Sequence, residues 1–121
     1  MILSALLINI EHDFLLDTGS SSSYVSSDVV KLLGLQEDHR LGGTEVEYPD
    51  GSVVISTGIV KAELQLGELV VDVILEVIPG LKSTIILGND TLLTHEVDIL
   101  YSTLEVIIKG TRFPFDKVYK D

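Results

Sequence analysis

The chain contains no cysteine. Disulfide bonds and thiolate metal sites are therefore excluded, while the redox compartment is left open. Basic residues are scarce: eight Lys and Arg stand against 19 Asp and Glu, for a formal net charge of −11 over 121 residues. Phosphate binding needs Lys and Arg. Nucleic acid and anionic membranes are thus poor partners, and the acidity reads as a solubility device. Long hydrophobic runs are also missing. The apolar N-terminal stretch, residues 1–10, falls short of the roughly 20 residues a bilayer span requires. It has no basic leader and no small-residue cleavage site, so no signal peptide is expected, and it reads as a strand. The three histidines, His12, His39 and His95, lie far apart without ligand spacing, so no metal site is expected.

What is present is apolar residue in short, patterned runs. Apolar residues make up 45% of the chain, and the mean hydropathy is positive. The length predicts one domain over residues 1–121, with a loose tail at 116–121. Such apolar excess in so small a domain points to a dense β core or a buried subunit interface.

In chain order, residues 3–10 read as a strand, Glu11-His12-Asp13 as a tight turn, and residues 14–16 as the returning arm. Ser26 or Ser27 is placed to cap a short helix that carries Asp28 in its first turn and stops at Gly34. Residues 37–43 read as a polar loop. Residues 44–48 alternate, with Val46 and Tyr48 on one face and Glu45 and Glu47 on the other. Pro49-Asp50-Gly51 is a turn signature, and Val53 and Ile55 alternate on the way back, which makes a β-hairpin. Residues 59–66 and 69–78 form strands around Gly67-Glu68, the second nearly continuous in apolar residues and hence central. Asn89 or Asp90 is placed to cap a second short helix ending near His95. Residues 97–101, 104–108 and 112–115 read as closing strands turned at Lys109-Gly110. Pro114, after Phe113, fits an edge strand.

Two stretches carry the chemistry. In Phe14-Leu15-Leu16-Asp17-Thr18-Gly19-Ser20, an apolar strand runs directly into a carboxylate and a glycine that permits a sharp turn. Buried charge is costly unless paired or neutralised; the chain delivers one acid on a tight turn into a sheltered place, although Asp-Thr-Gly alone equally reads as an Asp-initiated turn between two strands. Downstream, Ile85-Ile86-Leu87-Gly88-Asn89-Asp90 repeats the pattern of apolar strand, glycine and helix. Together, in this order and at this separation, the two motifs resemble the retropepsin family of aspartic proteases, single-lobe enzymes of retroviruses, retrotransposons and their domesticated relatives. The resemblance spans residues 3–115. It implies an all-β fold, a retropepsin-like closed barrel or sandwich with a flap hairpin and one or two short helices.

The resemblance further implies an endopeptidase that hydrolyses peptide bonds in extended, largely apolar segments, with polyprotein self-processing as one setting. Two carboxylates sharing one proton activate a water: the ionised one takes a proton and the protonated one donates to the substrate carbonyl. The chain holds a single Asp-Thr-Gly. Asp50-Gly51 lacks the apolar lead-in, so a dyad requires Asp17 from each of two chains, and the partner is a second copy. By position in the family's motifs, Thr18 braces the two loops across the axis and Gly19 bonds substrate backbone. Ser20 takes the small-residue position and Ser23 the hydroxyl position. Val46, Tyr48, Pro49, Asp50, Gly51, Val53 and Ile55 form the flap, and Ile86 lines a side-chain pocket. Leu87, Gly88 and Asp90 belong to the supporting motif. The tip Pro49-Asp50-Gly51 departs from the glycine-rich tips of many viral enzymes, which bears on flap mobility. No cofactor or metal is implied, and the expected location is the cytoplasm or a virus-like particle. Two alternatives stand beside this reading: a catalytically silent dimerisation or peptide-binding module of the same fold, and a domesticated cellular protease.

Overall fold

Alternating apolar and polar residues lay down most of the chain as strands, because side chains along a strand point to opposite faces in turn. The computed structural model describes residues 1–48, 50–81 and 84–116. Strands β1 (Ile2–Leu7) and β2 (Ile10–Leu16) form an antiparallel hairpin. Its turn is at Ile8 and Asn9, at φ 51° and 60°, and not at Glu11-His12-Asp13 as the sequence suggested. Two-residue hairpin turns favour this left-handed pair. The register buries Leu3, Ala5, Leu7, Phe14 and Leu16, and leaves Glu11 on the surface accepting from Ser4 Oγ at 2.7 Å. Ile8 disguised the turn, since β-branched residues rarely adopt positive φ.

β3 (Tyr24–Ser26) leads into helix α1 (Ser27–Leu33), which Gly34 ends at φ 64°. Ser26 occupies the N-cap position but does not cap with its side chain. Its Oγ accepts from the Thr84 amide at 3.2 Å instead, and Asp28 Oδ1 accepts from Val29 N. The expected polar loop after the helix is partly ordered, as β4 (Glu37–Asp38) and a 3₁₀ turn (His39–Leu41). Arg40 grips Asp38 through two side-chain bonds and one backbone bond, which holds the Asp38 carboxyl below its ordinary range.

The hairpin β5 (Glu45–Glu47) and β6 (Val53–Ile55) stands apart as its own two-stranded sheet. β7 (Gly58–Leu66) and β8 (Leu69–Ile78) pair along their whole length. β9 (Ile85–Leu87) precedes helix α2 (Asn89–Thr94). β10 (Asp98–Leu100), β11 (Glu105–Ile108) and β12 (Thr111–Pro114) form a separate three-stranded sheet, with Pro114 on its edge strand. Asp116 is not loose: it exchanges backbone hydrogen bonds with Ile2, while residues 117–121 lie outside the described residues.

The main sheet runs β1-β2-β9-β3-β8-β7-β4, and β1 also pairs with β7. This closes a six-stranded mixed barrel and leaves β4 attached outside it. Closure removes exposed edges, the common hazard of small sheets. The interior holds Phe14, Val25, Leu75 and Val77, all fully buried. β8 is central as expected, yet only one of its faces is covered: Val70 and Ile74 remain exposed. No helix among the described residues is long and apolar enough to cross a membrane.

Phe14 is two strand positions from the Leu16 that delivers the acid, so core and site share one strand. Phe14→Ala should lower stability by about 3–5 kcal/mol. At fixed protein concentration, urea unfolding should report a lower midpoint with unchanged slope.

Candidate active site

The barrel brings the two motif strands side by side. β2 and β9 pair in parallel, Leu15 opposite Ile86 and Leu16 opposite Leu87. The ladder runs one step further, with Asp17 N donating to Leu87 O at 3.0 Å. The two apolar runs are thus matching ends of a quasi-repeat, each leaving the sheet at the same level. Leu16 and Leu87 point into the core, so Asp17 emerges on the opposite face, the one shared with Leu15.

Beyond Asp17 the chain turns back at once. Gly19 N donates to Asp17 Oδ1 at 2.9 Å, and Ser20 N donates to Asp17 O at 3.1 Å. One carboxylate oxygen is therefore fixed by backbone. Asp17 itself is half-buried and Thr18 and Gly19 are exposed. The single chain does not enclose the acid that its sequence appeared to shelter.

The serine run is a fixed loop. α2 points its first amides at it: Asn89 N donates to Ser20 O and Asp90 N to Ser21 O. The first amides of any helix lack partners within the helix, and here the loop carbonyls supply them. Asn89 Nδ2 reaches Thr18 O at 2.7 Å. Ser20 Oγ closes the loop on itself through Ser22 O.

Ser23 is the hub. It is fully buried, and its Oγ donates to Asp90 Oδ1 at 2.7 Å while accepting from Gly88 N at 2.9 Å. Thr91 Oγ1 lies 2.7 Å away. A hydroxyl has one proton, and a carboxylate takes that of Ser23, so Thr91 must be the donor in this pair. Asp90 also accepts from Thr91 N. Asp90 is therefore no simple cap: Gly88 occupies the N-cap position, and the Asp90 carboxylate ties the helix to the loop. Gly88 has no Cβ for a direct reason. A Cβ there would lie 2.1 Å from Ser22 O and 2.8 Å from Ser20 O. Thr91 escaped the sequence reading, and Asn89, expected only as a helix cap, reaches across to the Asp17 loop instead.

The hairpin holds the remaining candidates, except that Pro49 lies outside the described residues. Val46 is buried and pairs with Val54, whereas Val53 and Ile55 are exposed on the other face with Glu45 and Glu47. The predicted contacts thus divide between two faces, and Val54 belongs with Val46. At the tip, Gly51 N donates to Tyr48 O and Tyr48 N to Ser52 O. Asp50 Oδ1 accepts from both the amide and the hydroxyl of Ser52, which lowers the Asp50 carboxyl from its ordinary range. The tip is latched by side chains rather than left to glycine. Ile86 is half-buried on the same face as Leu15.

Two substitutions test the hub. Ser23→Ala strands the buried Gly88 amide and should cost about 1–3 kcal/mol. Gly88→Ala forces the serine loop away from the helix and should cost about as much through overpacking. Thermal melting measures both, and each variant should also disorder the Asp17 loop, seen as loss of amide protection at Gly19 and Ser20.

A family model described as aspartyl protease matches residues 8–91, more than half of the chain. No curated protein matches the sequence. Among solved structures, the retroviral protease-like domain of Ddi1 from Leishmania major superposes with a TM-score of 0.81 at 19% identity, over 95% of this chain and 92% of that one. The EIAV protease complexed with the inhibitor HBY-793 gives 0.65 at 18% identity, over 83% and 91%. These likenesses establish a shared fold with a barrel closed as here. With the motif pair intact and its two strands in register, the chain belongs to the aspartyl protease family, in its retropepsin-like form.

Proposed function

We propose that the protein is an aspartic endopeptidase active as a symmetric homodimer. The observation that carries this reading is one acid per chain, braced but incomplete. Asp17 is fixed through Oδ1 by the Gly19 amide and left half-open on the face away from the core. The rest of the chain offers no second Asp-Thr-Gly. A second copy about a two-fold axis supplies the missing carboxylate from the same loop.

In the dimer two Asp17 side chains would share one proton, since like charges this close cannot both ionise readily, and they titrate as a pair. The ionised member takes a proton from water as the water attacks the scissile carbonyl. The protonated member donates to the carbonyl oxygen, giving a tetrahedral gem-diol. Return of the proton to the leaving nitrogen splits the C–N bond. Thr18, beside Asp17 and exposed, is placed to brace the partner loop, and Gly19 to bond substrate backbone. Val46, Tyr48, Pro49, Asp50, Gly51, Val53 and Ile55 would close over an extended peptide held by backbone hydrogen bonds. A cellular rather than viral setting is the second reading, favoured by the fuller overlap with the Ddi1 domain.

The test is Asp17→Asn. The amide keeps the shape of the side chain but takes no proton from water, so cleavage of extended apolar peptides should fall about a hundredfold to ten-thousandfold. The fold should survive. Two chains together carry −22, twice −11, so association should tighten as salt rises or as pH falls from 8 towards 5. Sedimentation of the wild type across that range reads this directly. Retained cleavage in the variant, or full activity from a species that stays monomeric, would defeat the proposal.

A further inference from the structure

One row of side chains crosses the barrel on the face that carries Asp17. Leu15 pairs with Ile86, Ile86 with Tyr24, Tyr24 with Glu76, and Glu76 with Ile59. Cross-strand partners share a face, and Leu15 shares that of Asp17 by alternation. Their neighbours Leu16, Leu87, Val25, Val77 and Val60 are all buried in the core. Every member of the row is half-buried. It forms an apolar strip leading sideways from the acid, with one carboxylate set in it.

One oxygen of that carboxylate has no partner among the described residues. Glu76 Oε2 is shielded from solvent and makes no hydrogen bond. Among the described residues Glu76 forms no ion pair: the two arginine pairs take Asp38 and Glu105. Lys61, diagonal to Glu76 in the register, makes none either. A carboxylate oxygen shielded from water without a countercharge is costly, and a bound cation would offset that cost. Tyr24, directly opposite, adds an aromatic face on which a planar guanidinium can stack. Carboxylate and ring together favour arginine over lysine.

We propose that Glu76 and Tyr24 form a specificity site that takes an arginine side chain of the substrate close to the scissile bond. This rests on the protease reading above. Strands lie about 4.8 Å apart, so Glu76 is about 14 Å across the sheet from Leu15. An extended peptide covers about 7 Å in two residues, and a long side chain spans the rest. The arginine therefore belongs about two residues from the cleaved bond, and the two-fold axis provides such a site on either side. The strongly acidic chain would also draw a basic peptide towards it.

The experiment compares peptides with arginine or citrulline, which has the same shape without the charge, at each position flanking the bond. The wild type should cleave the arginine peptide at least tenfold better in kcat/KM at one position or its mirror image. The difference should fall mainly on KM. Glu76→Gln and Glu76→Met should erase that preference, each cleaving its arginine and citrulline peptides with kcat/KM values within about twofold of one another. Both should melt no lower than the wild type, because an unpaired carboxylate has been removed. Equal cleavage of both peptides by the wild type, or a preference that survives in either variant, overturns the specificity site and leaves the protease reading intact. A wild type that cleaves no peptide of the set, with Asp17→Asn indistinguishable from it, overturns both.

Discussion

One buried hydroxyl holds the active end of this domain together. Ser23 Oγ gives its proton to Asp90 and receives those of Gly88 N and Thr91, so every hydrogen-bonding position on it is used. In a dry interior such a fully satisfied network fixes geometry, because losing any member leaves a polar group unpaired. The loop that presents Asp17 and the turn that opens α2 are thereby one rigid unit. The absent side chain at Gly88 lets their backbones touch. The acid is positioned by this contact together with its own strand, whose ladder continues through Asp17 N to Leu87 O.

The division of labour follows from strand alternation. Inward residues build the core of a closed barrel. Outward residues beside Asp17 are left half-covered, in a strip that a single chain does not complete. A small domain with 45% apolar residues has such surface to spare. The hairpin β5–β6 pairs with no strand of the main sheet, and its tip is latched by Asp50 and Ser52. The domain thus combines a closed barrel with a hairpin that forms a sheet of its own.

Much of this was legible in the sequence because the informative signals were local. The Asp17 motif, the Gly34 stop, Asp50-Gly51 at the hairpin tip and the Lys109-Gly110 turn each announce their own backbone. The likeness of the two motif strands was legible as well, whereas their parallel pairing is set by the closed barrel. What escaped was non-local or masked. The Ile8-Asn9 turn was hidden by a β-branched residue at positive φ. Ser26 looked like a helix cap, but its hydroxyl serves Thr84, 58 residues away. Asp90 looked like a cap and is a tie to Ser23, 67 residues away. Glu76 drew no attention within a long apolar strand, since only the register across four strands sets it beside Tyr24 and in line with Leu15.

The central claim is that the reacting unit draws one acid from each of two chains. Mixing wild-type and Asp17→Asn chains at fixed total concentration, well above that needed for dimerisation, tests it most directly. If both acids are needed, only wild-type pairs cleave, and activity should follow the square of the wild-type fraction, one quarter at equal mixing. Activity falling in simple proportion to that fraction would mean that one chain suffices, and would contradict the account.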